Sequence, residues 1–298
     1  MKLAVGVLVG LSFVQGRVLY EDPTRSIRIV NYVQGEGGTL ENGDFEFKVT
    51  GRPATVEARL QGMTISGPTL EGKVAPAGAD NRPGFARELL VIGGAVVTFD
   101  SEMQFKAMTE HAARFGTPVP RPPASKDVAT LNTSQLAYVG NGATGTFTVP
   151  GAFTLSGVST GTKNGITSNH SVTAKGTKAT FALDPTAGGK ALPIETGTIT
   201  GPVQIDLKST ETDPAKPTPT QNTITGVADN LDLDLKSTRT ITLRGNVKIE
   251  GESAVYRGAS EGDIVVVYLD ESLKPIRIRI TGDPTKSTLK DKSGGGKP

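Results

Sequence analysis

Apolar and polar residues change places at every second position along most of this chain. That period fits strands with one dry and one wet face, because successive side chains on a strand point to opposite sides of a sheet. Phe45, Phe47 and Val49 alternate with Glu46 and Lys48; Val56, Ala58 and Leu60 with Glu57 and Arg59; Leu70, Gly72 and Val74 with Glu71 and Lys73. Phe147, Val149, Phe153 and Leu155 share one parity, as do Val203, Ile205 and Leu207. The last third is the clearest. Leu231, Leu233 and Leu235 alternate with Asp232 and Asp234; Ile241, Leu243, Val247 and Ile249 with Thr242, Arg244, Asn246 and Lys248; Ile276, Ile278 and Ile280 with Arg277 and Arg279. Turn residues such as Gly51, Pro53, Gly67, Pro68, Gly157, Gly201 and Gly251 punctuate these runs at the spacing of antiparallel meanders, not of strand-helix-strand units. The expected fold is all-β and antiparallel: a jelly roll or elongated sandwich, or two stacked β units, with at most one short helix. Residues 264–269 are apolar at both parities, which fits a strand covered on both faces or lying at a sheet junction.

Two passages break the rhythm. Residues 100–116 have a helix-tolerant composition, with Asp100 or Ser101 as cap and Gly116 as stop, and predict one helix; a strand over 103–108 is the alternative. Pro118, Pro120, Pro122 and Pro123 then make 117–128 an extended linker or surface loop, dividing a β unit at 17–116 from a second at 129–282. Pro214, Pro217 and Pro219 mark another exposed loop, and the polar, Gly-rich stretch 283–298 is expected to be a disordered tail. Thr198-Ile199-Thr200-Gly201 with Asp206-Leu207-Lys208-Ser209-Thr210 recurs as Thr223-Ile224-Thr225-Gly226 with Asp234-Leu235-Lys236-Ser237-Thr238. A duplicated hairpin is the simplest origin of such a repeat.

At the start of the chain Lys2 precedes an apolar run over 3–14, and small Val14 and Gly16 stand where a signal peptidase cuts. The expectation is an exported, periplasmic protein with a signal peptide at 1–16 and a mature start at Arg17. A buried first strand and an uncleaved membrane anchor are the alternatives, the run being short against the roughly 20 residues of a spanning helix.

The chain has 32 basic and 30 acidic residues spread along its length, so it lacks the basic stripe that nucleic acid needs. It has no cysteine, and only His111 and His170 offer imidazole chemistry. Both are expected to be exposed or structural. Phosphate-loop, His-Glu-x-x-His and Gly-x-Ser-x-Gly motifs are missing. Asp232 and Asp234 read as the wet face of a strand, not as cation ligands, since calcium needs six or more gathered oxygens. No catalytic residue, metal site or cofactor is expected.

The last third also carries a resemblance. Residues 243–249 (Leu-Arg-Gly-Asn-Val-Lys-Ile), 254–258 (Ala-Val-Tyr-Arg-Gly), 265–270 (Val-Val-Val-Tyr-Leu-Asp) and 275–282 (Pro-Ile-Arg-Ile-Arg-Ile-Thr-Gly) resemble the OstA-like repeat of lipopolysaccharide-transport proteins, with fainter echoes at 94–99 and 136–149. The resemblance implies a V-shaped, partly open β-jelly roll whose inner face shields lipid acyl chains in the periplasm, either anchored to the inner membrane or bridging to the outer one. It implies lipopolysaccharide or a similar envelope lipid as ligand, with Leu243, Val247, Ile249, Ile276, Ile278 and Ile280 as lining. It also implies other envelope jelly-roll proteins as partners, joined through edge strands, for which the last strand, 276–280, is the candidate. Arg277 and Arg279 have the opposite use as well, because charges on an edge strand protect against pairing. The competing expectation is a structural or adhesive surface protein, in which the same strands close into a sandwich or solenoid whose apolar face is ordinary core.

Overall fold

The computed structural model describes residues 18–78, 83–184, 194–216, 218–252, 256–270, 275–282 and 286–291, with 256 and 286–291 described through the backbone alone. The expected signal segment, 1–16, and Arg17 lie outside these residues. In chain order the elements are β1 (Val18–Glu21), β2 (Ile27–Thr39), β3 (Phe45–Ala58), a 3₁₀ turn (Arg59–Gln61), β4 (Met63–Ala75), β5 (Phe85–Asp100) and α1 (Ser101–Phe115). There follow β6 (Ser125–Gly140), β7 (Gly145–Val149), β8 (Phe153–Lys163), β9 (Ile166–Gly176), β10 (Lys178–Leu183) and β11 (Ile194–Thr212). The chain continues through β12 (Thr220–Asp234), β13 (Thr240–Glu252), β14 (Tyr256–Leu269), β15 (Pro275–Thr281) and β16 (Lys286–Asp291). The fold is all-β and antiparallel, as the two-residue period predicts.

All sixteen strands belong to one sheet. Strands β1 to β6 pair in succession, and so do β11 to β15. Between them the long strands are replaced by short ones set end to end. The two ends of β6 pair with β7 and β8, these pair with β10 and β9, and both of the latter pair with β11. At the far edge β15 and β16 both pair with β14.

A line of irregularities crosses this sheet at right angles to its strands. Pairing shifts between Thr50 and Ala54, Ser66 and Thr69, Ile92 and Ala95, Thr200 and Val203, Val227 and Asn230, and Arg244 and Val247. The breaks between β7 and β8, β10 and β9, and β15 and β16 fall on the same line. The sequence marks it by parity: in β3 the buried residues Phe47 and Val49 give way to Ala54, Val56 and Ala58, and in β12 Ile224 and Ala228 give way to Leu231. A bulge inserts an unpaired residue and bends its strand, so bulges in register crease the whole sheet. Gly94 (φ 121°) and Gly245 (φ 74°) sit on the crease in backbone conformations that side chains with a Cβ disfavour.

The crease explains how a one-sided apolar sheet is covered. Residues facing inward from β2 through β14 form one buried cluster, yet α1 packs chiefly on the 3₁₀ turn and β6 and leaves most of that face to other groups. The two halves of the sheet therefore cover each other. Phe99 meets Phe147 edge-on across the fold (centroids 6.2 Å), and Phe153 meets Phe181 at 5.9 Å and 86°. The helix lies at the rim of one half, where β5 passes to β6. Asp100 caps it by accepting from the N–H groups of Glu102 (2.9 Å) and Met103 (3.1 Å), and Gly116 ends it in a left-handed conformation. A helix, not a strand, thus occupies 103–108.

Several expectations meet a different arrangement. Residues 125–128, expected in the linker, open β6, and β5 and β6 pair from Glu88 to Asp100, so the sheet runs on past the expected division at 117–128. Residues 286–291, expected in a disordered tail, pair with β14 as β16. The two copies of the internal repeat are not equivalent hairpins. They fall on neighbouring antiparallel strands, and 206–210 lies within β11 whereas 235–238 forms the turn after β12. In β14 one parity is buried (Val265, Val267, Leu269) and the other, Ile264, Val266 and Tyr268, is half-buried.

Candidate functional site: the apolar interior and its two ends

Strand β13 aims Leu243, Val247 and Ile249 into the interior, where all three are buried. Direct pairing carries the apolar face onward from Leu231 through Leu243 and Val265 to Ile280, and from Leu233 through Ile241 and Val267 to Ile278. The six residues expected as lining therefore divide. Leu243, Val247, Ile249 and the half-buried Ile280 belong to the packed interior, whereas Ile278 is 38% and Ile276 64% exposed. These two lie on β15, which has β14 on one side and no strand on the other among the described residues. The apolar face reaches solvent there.

The opposite end is shut. Asp22 is buried, and its carboxylate accepts from the N–H of Thr24 (3.2 Å), the hydroxyl of Thr24, the hydroxyl of Ser26 (3.0 Å) and the N–H of Ile27 (2.8 Å). Ser26 Oγ also lies 3.2 Å from the carbonyl of Gly84, which it can reach as donor, so the turn before β2 touches the rim of the other half. Tyr20 stacks on Phe45 at 4.6 Å beside this plug, and burial, with the Asp22 charge, pushes its phenol up to about 12.

The inner face turns polar at the helix-bearing rim. Asp127, Ser159, His170, Ser209 and Asn222 stand opposite one another on β6, β8, β9, β11 and β12. Sequence reasoning missed this row, having placed Asp127 in a linker and His170 among exposed or structural residues. The signal was present in the parity that Asp127 shares with Ala129 and Leu131, His170 with Val172 and Ala174, and Ser209 with Val203, Ile205 and Leu207. Which polar residues stand side by side depends on register, which alternation within one strand does not fix.

The other candidates are engaged in structure. Asp232 accepts from Arg244 Nε at 3.0 Å. Asp234 caps the turn after β12, where the Ser237 N–H, together with Thr238, holds its carboxyl below the usual range. His111 lies in α1 against the ring of Phe115 at 4.6 Å. Among the described residues no three His, Asp or Glu side chains gather as a metal-holding group, and no helix is long and apolar enough to cross a membrane.

Together these features define a class: a single antiparallel sheet creased over one continuous apolar interior, plugged at its N-terminal end and, among the described residues, exposed at β15. Comparison with family models, with curated proteins and with solved structures gives no match.

Proposed function

We propose that this is an exported, periplasmic lipid-binding protein that shields acyl chains inside its creased sheet, in the manner of the lipopolysaccharide-transport proteins its last third resembles. The supporting observation is the continuity of the inner face: the ladder that buries Leu243 and Val265 runs without a break to Ile280, and Ile278 beside it is exposed. An apolar surface left in water at the end of such an interior is where an alkyl chain gains most by entering, at about 25 cal/mol per Å² buried. Lipopolysaccharide or a similar envelope lipid is the proposed ligand. A second jelly-roll protein adding a strand to β15 is the proposed partner, since the outer backbone groups of that strand meet no strand among the described residues.

One observation favours a scaffold instead. From β2 to β14 the interior is closely packed, as a plain core would be. Binding of a fluorescent fatty acid separates the two. Ile278→Glu places a charge on the bare inner face and should weaken binding about tenfold or more, whereas Arg279→Gln, next to it on the outer face, should leave binding unchanged. A wild-type protein that binds no acyl probe and carries no copurifying lipid by mass spectrometry is a scaffold.

A further inference from the structure

The polar row at the helix-bearing rim holds buried groups with unmet hydrogen-bonding capacity, Asp127 at its β6 end and Ser209 further along on β11. Asp127 is 2% exposed. Its Oδ2 lies 2.8 Å from the Ser125 hydroxyl and its N–H bonds to Ser101 Oγ at 2.9 Å, but Oδ1 is buried with no partner among the described residues. Ser209 is 4% exposed, and its hydroxyl likewise is buried with no partner among the described residues. Leaving such atoms unsatisfied costs about 1–3 kcal/mol each, more for a charged group, so their gathering on one row calls for an explanation. Ser159 and His170 stand between them, Asn222 stands beyond Ser209, and all three are half-buried, so the row meets solvent between the two buried groups and at its β12 end. The adjacent inward row is apolar, with Ala129, Val172, Leu207 and Ile224. The boundary between the apolar interior and its polar rim falls between these two rows.

The chemistry of the row selects its ligand. Asp127 Oδ1 accepts only, so the ligand must donate. An anionic phosphate would instead meet the Asp127 carboxylate, with Lys126 and Lys208 on the opposite parity and unable to face it. Three strand spacings, roughly 14 Å, separate Asp127 from Ser209. One small hydroxyl cannot serve both, whereas a group with several spaced hydroxyls can. We propose that this row is a headgroup site for a neutral glycosyl group, carried by the amphiphile whose acyl chains enter the interior, which narrows the envelope lipid proposed above to an uncharged glycolipid. The assignment rests on the acyl-binding function proposed above.

The test compares dodecyl maltoside and dodecanoate, each below its micelle-forming concentration, with free maltose, by calorimetry on the full chain and on Ser209→Ala and Asp127→Asn. Ser209→Ala removes a hydroxyl without a partner, so its melting temperature should not fall. It should nevertheless weaken maltoside binding about five- to tenfold, the worth of one hydrogen bond, and leave dodecanoate binding unchanged. Asp127→Asn should act in the same direction. Maltoside affinity unchanged in both variants, equal losses for both amphiphiles, or free maltose binding as tightly as the maltoside would each overturn the headgroup site while dodecanoate binding upheld the acyl function. If neither amphiphile binds wild-type protein, the acyl function falls and the headgroup site with it.

Discussion

Tyr138 lies in the interior, 2% exposed, and burial pushes its phenol up to about 12 from an ordinary value near 10. The folded state thus holds the phenolic proton more tightly than the unfolded chain does. Its contribution is complete below pH 10 and is lost as the pH climbs from 10 through 12. About two pH units correspond to about 2–3 kcal/mol, so Tyr138→Phe should flatten the fall of stability between pH 9.5 and 12, measured by chemical denaturation. The same fall in wild type and variant would contradict this. A second residue-scale expectation concerns Gly176, where a Cβ would lie 2.4 Å from Ile199 Cγ2 and 3.0 Å from the Phe153 ring. Gly176→Ala should cost about 1–3 kcal/mol by overpacking, and an unchanged denaturation midpoint would show that the core can give way. The facing of Leu243, Val247 and Ile249 was legible in the sequence because alternation alone decides it. The tight fit at Gly176 and the row from Asp127 to Asn222 were not, since both depend on which strands become neighbours.

At the scale of elements, α1 was legible because its signals are local: Asp100 at the cap and Gly116 at the stop. Asp100→Ala should cost about 1 kcal/mol, read from the thermal unfolding curve, and a smaller change would mean that water replaces the cap without loss. β16 was not legible, because residues 286–291 lack the apolar alternation and become a strand only through the edge that β14 offers. The crease lay in plain sight as parity breaks in β3 and β12, but reading it requires knowing that the breaks line up across the sheet. β15 carries the assembly prediction. Its outer edge meets no strand among the described residues, and replacing Arg277, whose guanidinium lies 5.3 Å from the Tyr268 ring centre, alters charge without altering the backbone ladder. Ile278→Pro removes a donor and should abolish concentration-dependent oligomers in sedimentation, while Arg277→Glu should retain them. A wild-type protein that stays monomeric at high concentration would leave both arginines as guards of the edge.

Over the whole molecule the two ends differ in kind. The N-terminal end is held shut by the Asp22 carboxylate, its hydroxyl and N–H donors, and the Tyr20–Phe45 stack, whereas at the C-terminal end the apolar ladder runs into solvent at Ile276 and Ile278. If the interior takes up acyl chains, they enter past β15 and not past β1. The sequence has no cysteine, so a single introduced thiol carries a label at one chosen end. Val18 on β1 and Ile278 on β15 are both partly exposed, which lets either be replaced without opening the core. The most direct measurement is therefore quenching of a fluorophore on Val18→Cys or on Ile278→Cys by a brominated fatty acid. Saturable quenching at 278 with little at 18 is the predicted result, and absence of saturable quenching at 278 would contradict the account.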